Sequence, residues 1–257
     1  MTKRTILVTG AGRGIGRAIA TQFAALGHRI AITARSQEQL KEVAAAVDAA
    51  GGESLTLPDD LSDRAAPARL VEGVTDHWGG LDILVNNAGV GSSGSPKPLV
   101  EFDDAYWDLS LAINVTAPYL LIKAALPQML ANQWGRIINI ASINSRTAPL
   151  HGAAYAASKH AIGGLTKAVA TDYPAQLGVT CNAVCPGVVA TQMNDLRLDY
   201  DVERTGTAFA DIEAQASPLG RRMLPDEIAP MAVFLGSDAA NAINGQLINV
   251  CAGTLVV

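Results

Sequence analysis

The 257-residue chain is short of aromatic residues, 5%, and of charge, 17%, with 19 Lys plus Arg against 24 Asp plus Glu for a net charge of −5. A surface for nucleic acid or anionic lipid needs a positive field, which this balance does not supply. Long hydrophobic runs are missing too: no stretch approaches the roughly 18 apolar residues that cross a bilayer. After the basic Met1-Thr2-Lys3-Arg4 comes only Ile6-Leu7-Val8 before Gly10 and Gly12, too short for a signal-peptide core. A soluble, cytoplasmic protein is expected. Cysteine is scarce, and Cys181, Cys185 and Cys251 suit a reducing compartment. Cys181 and Cys185 lie four apart in an apolar, strand-like segment and share one face. Without nearby His or carboxylate partners they read as buried small hydrophobes rather than metal ligands. There is no linker rich in Pro, Gly or Ser, no low-complexity tract and no fixed repeat, so residues 1–257 are expected to form one domain.

What is abundant is apolar: 49% of the residues, far too many for a disordered chain. The low charged fraction points to surface hidden in an oligomer. Strand and helix signals alternate. Apolar runs at 4–9, 29–34, 55–57 and 81–85 read as strands, separated by helices over 14–27, 37–50 and 62–78, the last with Ser62 as N-cap. The second half adds a helical region over 101–130, a strand at 135–141, a helix over 152–175 and a strand at 179–184. A helix starting at Pro225 and a strand at 246–250 complete it. Residues 191–224 are polar and weakly periodic and read as a mobile insertion. Repeated strand–helix units imply right-handed crossovers and a parallel sheet. The expected fold is α/β, a doubly wound parallel sheet of about seven strands with helices on both faces.

The first strand–helix turn reads Thr9-Gly10-Ala11-Gly12-Arg13-Gly14-Ile15-Gly16. Glycine permits a sharp turn and close approach of a pyrophosphate, and the helix N-terminus offers free N–H groups to hold it. The competing reading is a glycine turn that merely packs. A dinucleotide would lie at the carboxyl ends of the strands, where strand order reverses. An acidic residue at the end of the second strand would favour NAD; here the chain reads Ala34-Arg35-Ser36. Arg35 can pair with a 2′-phosphate, with Arg13 adding charge nearby, so NADP(H) is favoured over NAD(H). Otherwise both are solvated loop arginines.

Tyr155 and Lys159 are four apart on an expected helix and face one side. Ser142 follows directly on the strand before it, Asn86-Asn87-Ala88-Gly89 closes the fourth strand, and Asn114 lies in the helix between. With the glycine turn and Pro186-Gly187, these motifs run in family order over essentially the whole chain, which resembles the short-chain dehydrogenase/reductase family. Two local stretches, Val184-Cys185-Pro186-Gly187 and Asn249-Val250-Cys251-Ala252-Gly253, are similar to those of aromatic-polyketide and 3-oxoacyl ketoreductases. Two departures lie near the C-terminus. Val250-Cys251-Ala252-Gly253 stands where the family often has a DGG-like turn, and Asn244 stands in place of its usual Thr.

The resemblance implies a Ser142–Tyr155–Lys159 catalytic set, with Asn114 holding a water that links Lys159 to solvent. Lys159 would also hold the nicotinamide ribose. It implies a dinucleotide site drawn from Gly10, Gly12, Arg13, Gly14, Ile15, Gly16, Arg35, Asp60, Leu61, Asn87, Ala88, Gly89, Tyr155, Lys159, Pro186, Gly187, Val189 and Thr191. A homotetramer, or a homodimer, is the implied assembly. The chemistry supports these residue types independently. Moving a hydride to a carbonyl carbon requires a proton at its oxygen, and a tyrosine with a free pKa of about 10 needs a nearby cation to approach working pH. The expected function is NADP(H)-dependent interconversion of a ketone and a secondary alcohol by hydride transfer, with Tyr155 as general acid and base. An NAD(H)-dependent alcohol, sugar or polyol dehydrogenase stays open. So does a dinucleotide sensor without turnover, though a sensor would not need Tyr155. Residues 91–98, 143–152 and 192–216 are expected to line the substrate opening, with His151 either a substrate contact or a loop residue. Arg221-Arg222 forms the one basic cluster suggestive of a carrier-protein or CoA partner.

Overall fold

The computed structural model describes residues 2–256. The apolar runs become β1 (Thr5–Thr9), β2 (Arg29–Thr33), β3 (Glu53–Thr56), β4 (Ile83–Asn86), β5 (Gly135–Ile140), β6 (Val179–Pro186) and β7 (Leu247–Val250). They form one parallel sheet in the order β3-β2-β1-β4-β5-β6-β7. Strand order reverses between β1 and β4, which opens a crevice at their carboxyl ends.

Every residue of β1, β4, β5 and β6 is buried, as a parallel sheet covered on both faces requires. Side chains alternate between two cores. Ile6 and Val8 pack with Ile19 and Phe23 of α1 (Gly14–Ala24) and with Leu40 and Val43 of α2 (Gln37–Ala49). Leu7, between them, packs on the opposite face with Leu70 and Val74 of α3 (Ala66–Trp78). Truncating such a side chain to Ala costs about 2–5 kcal/mol. The remaining helices are α4 (Asp104–Leu111), α5 (Ala117–Ala131), α6 (Ala153–Asp172), α7 (Gln192–Thr205), α8 (Phe209–Ala214) and α9 (Pro225–Leu235).

The structure departs from the sequence expectations in three places. First, α3 starts at Ala66 rather than Ser62. The Asp60 and Asp63 carboxylates accept from the N–H groups of Ser62 and Ala65, both at 2.9 Å, and hold local turns there. Second, a π-helical turn, Ala112–Thr116, lies between α4 and α5. Within the run Asp104–Ala131 an 18-residue window has a mean hydropathy of 1.5, long and apolar enough to cross a membrane, and half of that window is buried in the fold. Third, residues 191–224 are not irregular. They hold α7 and α8, and an Arg197–Asp201 pair at 3.0 Å supports α7 at i,i+4 spacing. Leu198 is the single buried residue of α7, which is why the apolar pattern shows so little period.

Candidate functional site

The crevice at the carboxyl ends of the strands is a cleft of about 1210 Å³. Its floor is the glycine turn between β1 and α1. Gly10 and Gly14 have φ of +61° and +56°, which glycine adopts without strain. A Cβ on Gly10 would lie 2.7 Å from the Ala88 backbone. Gly12, Arg13 and Ile15 also face the cleft. Gly16 does not: it is buried, and a Cβ there would meet the Gly10 carbonyl oxygen at 2.4 Å. Gly16 therefore lets α1 pack onto the turn. The N-cap residue of α1, Arg13, makes no side-chain capping bond, so the first N–H groups of the helix are available to an anion.

The turn is tied to the segment after β4. Thr9 Oγ1 accepts from the N–H groups of Asn87 and Ala88, each at 3.0 Å. Asn87 Nδ2 donates to the carbonyls of Thr9 and Gly10 at 2.9 and 3.1 Å. Ala88 and Gly89 line the cleft beside it. The sequence alone assigns Thr9 no role; only the register of β1 beside β4 brings it against Asn87.

Arg35, Asp60 and Leu61 line one end of the cleft, with Ser36, Gln39 and Asp59 as further neighbours. Asp59 is held by Arg69 at 2.9 Å. The hydroxyl of Thr33, in the same wall, is buried and has no hydrogen-bond partner among the described residues. An orphaned buried hydroxyl beside Arg35 and an uncapped helix N-terminus fits the adenosine end of a nicotinamide dinucleotide. Pro186, Gly187, Val189 and Thr191 line the cleft after β6. Thr191 reaches over Gly14, 3.2 Å from where its Cβ would be. Cys251 packs beneath Gly187, so the unusual C-terminal turn supports the cleft itself. Asn244 accepts from the Cys181 N–H at 2.8 Å and ties the loop before β7 to β6. Burial pushes the Cys181 thiol up to about 12 and raises Cys185 as well, so both are inert.

Ser142, Tyr155 and Lys159 converge on the cleft from the end of β5 and the first turns of α6. Lys159 Nζ lies 5.7 Å from the centre of the Tyr155 ring and donates to the Ile140 carbonyl at 2.9 Å. Burial raises the Tyr155 phenol and a hydrogen bond from Ser142 pulls it partly back. Burial lowers Lys159 to about 8. The sequence leads one to expect Lys159 to lower the tyrosine; burial instead sets the direction of its shift.

Asn114, on the π turn, is buried behind these groups and does not line the cleft. Its Oδ1 accepts from the Val90 N–H at 2.8 Å, and its Nδ2 donates to the Val90 carbonyl at 3.0 Å and to Ser158 Oγ at 2.9 Å. It fastens the segment after β4 to α6, with both of its N–H donors engaged by protein groups.

The opposite wall comes from three segments. Of residues 91–98, Gly91 and Ser92 reach the cleft; of 143–152, Ile143, Asn144, Pro149 and Leu150 do. His151 turns away, with φ +55°, and bonds the Tyr200 hydroxyl of α7 through Nδ1 at 2.5 Å. Arg197 donates to the Leu150 carbonyl at 2.9 Å. These two bonds fasten α7 to the loop that leads into α6. The Arg221-Arg222 cluster is consumed internally: Arg221 pairs with Glu227, and Arg222 with Asp195 and Glu213.

Known proteins match this geometry. A family profile described as short chain dehydrogenase matches residues 4–200. A Streptomyces violaceoruber protein, whose name proposes it as ketoacyl reductase 1 of the granaticin polyketide synthase, is 40% identical over 98% of this chain and 93% of its own. A D-beta-hydroxybutyrate dehydrogenase of Cupriavidus necator is 35% identical over 97% of each chain. The crystal structure of a tryptophan-substituted variant of actinorhodin polyketide ketoreductase with NADPH superposes with a TM-score of 0.92 at 33% identity, covering 98% of this chain and 97% of that one. The profile covers most of the chain, and the relatives and the matching structure span nearly all of it: the chain belongs to the short-chain dehydrogenase family of oxidoreductases.

Proposed function

We propose that the protein reduces a ketone to a secondary alcohol, and runs the reverse reaction, with NADP(H) as the redox partner and Tyr155 as the group that moves the proton. The observation that carries this is the convergence of Ser142, Tyr155 and Lys159 in the same cleft whose other end holds Arg13 and Arg35. A bound nicotinamide dinucleotide would supply the hydride. The Ser142 hydroxyl holds and orients the carbonyl oxygen. The Tyr155 hydroxyl delivers its proton to that oxygen as the carbon is reduced. Lys159, charged at neutral pH with a pKa of about 8, stabilises the phenolate that remains and returns the proton. Asn114 acts as a positioning residue, holding α6 and the Val90 backbone together.

Arg35, exposed at the adenosine end, pairs with the 2′-phosphate that distinguishes NADPH, with Arg13 beside it. Exposed Leu109 and Tyr119 on α4 and α5 support association of these helices with another copy, as a homodimer or homotetramer. Tyr155→Phe removes the proton donor and keeps the ring. Turnover of a ketone panel with NADPH is expected to fall by roughly 10²–10⁴-fold while NADPH binding is kept. Near-normal turnover in this variant would reject the role of Tyr155.

A further inference from the structure

We propose that Arg146 is a positioning residue for Ser142, and that its bond to Asn249 makes the C-terminal turn a working part of the active site. The inference rests on the proposed ketone reduction, in which Ser142 orients the carbonyl, and goes beyond it by naming what holds Ser142 in place.

Ser142 opens a single tight helical turn, Ile143–Ser145. Its Oγ accepts from the Asn144 N–H at 3.1 Å, and its carbonyl accepts from the Ser145 N–H at 2.9 Å. One lone pair of the hydroxyl is thereby fixed, and its proton is left for Tyr155. So short a turn makes few bonds of its own and needs support from outside. Thr147 gives none: its hydroxyl bonds back to the Ile143 carbonyl and to Asn144. The Ser145 hydroxyl is buried with no partner among the described residues. Arg146 supplies the outward bonds. It donates to Asn249 Oδ1 at 2.6 Å and to the Leu247 carbonyl at 2.8 Å, both on β7, the end strand of the sheet.

Cys185 fills the angle between these groups. It stands opposite Asn249 in the register of β6 and β7. Burial raises its thiol, while the Arg146 cation and a bond from the Ser142 backbone pull it back. Arg146, Ser142 and Asn249 therefore surround one buried side chain.

Beyond Asn249 lies the turn whose sequence departs from the family pattern. Asn249 Nδ2 and Cys251 Sγ both donate to the Leu255 carbonyl, at 3.3 and 3.5 Å. Ala252 has φ +51°, a conformation that an alanine keeps only where its surroundings impose it. The Gly187 N–H donates to the Val250 carbonyl at 3.1 Å, and a Cβ on Gly187 would lie 3.0 Å from that of Cys251. One turn thus braces the catalytic serine through Asn249 and the cleft wall after β6 through Cys251. It sets the place of the carbonyl-holding hydroxyl relative to that wall.

The test uses the full chain with NADPH bound. Arg146→Gln is expected to lower kcat for a ketone about tenfold or more, since a misplacement of about 1 Å can cost about 100-fold. The dissociation constant of NADPH should stay unchanged. Arg146→Lys, which keeps the charge but not the fork that spans two acceptors, should restore part of kcat. Asn249→Ala should reproduce the loss from the other side of the bond. A residue that acts through Ser142 has nothing left to act on in Ser142→Ala, so adding Arg146→Gln there should cost little more. A full further loss in that double variant, or an unchanged kcat in Arg146→Gln, overturns the proposal. Hydrogen exchange needs no ketone and separates the two readings. In Arg146→Gln the Asn144 and Ser145 amides should exchange about tenfold faster while those of β1 do not change. Faster exchange confined to this turn, in a protein that turns over no ketone, would reject only the ketone chemistry. Ketone turnover with wild-type kcat and wild-type exchange in Arg146→Gln would reject only the positioning role.

Discussion

The two walls of the cleft are built differently. The dinucleotide side is held by glycine backbone packed on backbone and by two side chains bonded to it. Gly10 abuts Ala88, Gly16 abuts the Gly10 carbonyl, and Thr9 and Asn87 bond each other's main chain. The substrate side is held by side chains: Tyr200 on His151, Arg197 on the Leu150 carbonyl, and two arginines on Asp201. Backbone contacts at van der Waals distance admit almost no substitution. Partly exposed side-chain bonds contribute little each and can be exchanged. One wall thus suits a ligand that never varies, and the other a substrate that can change while the fold stays.

The largest test of this contrast is Gly16→Ala. The added methyl carbon has no room beside the Gly10 carbonyl, so α1 must shift from β1. Overpacking of this kind costs about 1–3 kcal/mol. Urea unfolding should show that loss together with weaker dinucleotide binding. Wild-type stability in this variant would mean that the turn is softer than its contacts imply.

Tyr200→Phe is the smaller, complementary change. It removes the bond to His151 and keeps the ring. Stability should fall by less than about 1.5 kcal/mol, the net worth of one such hydrogen bond. Meanwhile KM for the ketone rises and dinucleotide affinity is unchanged. If dinucleotide affinity fell as far as ketone affinity, the two walls would not be independent.

The same contrast explains what can be read from the chain. Gly10, Gly14, Asn87 and the Tyr155–Lys159 spacing are legible because each meets a constraint written within a few residues: a left-handed turn, a strand end, a helix face. The parallel sheet follows from the alternation of strands and helices. Less is legible where the partner is distant. Nothing near Gly16 in the sequence announces the Gly10 carbonyl that lies against it, and nothing near Asn114 announces its bonds to Val90 and Ser158. The polar segment after Thr191 conceals α7, because a helix with one buried leucine carries almost no apolar period. Charge misleads in the same way. Arg221-Arg222 are adjacent in sequence but neutralised in space, whereas Arg197 and Arg204 are seven apart and meet only on Asp201.

The most direct measurement is thermal unfolding of the wild type and of Arg35→Asp in rising NADPH and, separately, NADH. A ligand at 100 times its dissociation constant adds about 2.7 kcal/mol to stability. The wild type should reach that gain at a much lower concentration of NADPH than of NADH. Arg35→Asp should then need roughly 10–100 times more NADPH, as loss of a charge-assisted bond implies, with little change for NADH. Equal loss for both cofactors would remove Arg35 as the phosphate reader. Stabilisation by neither would contradict the dinucleotide cleft itself.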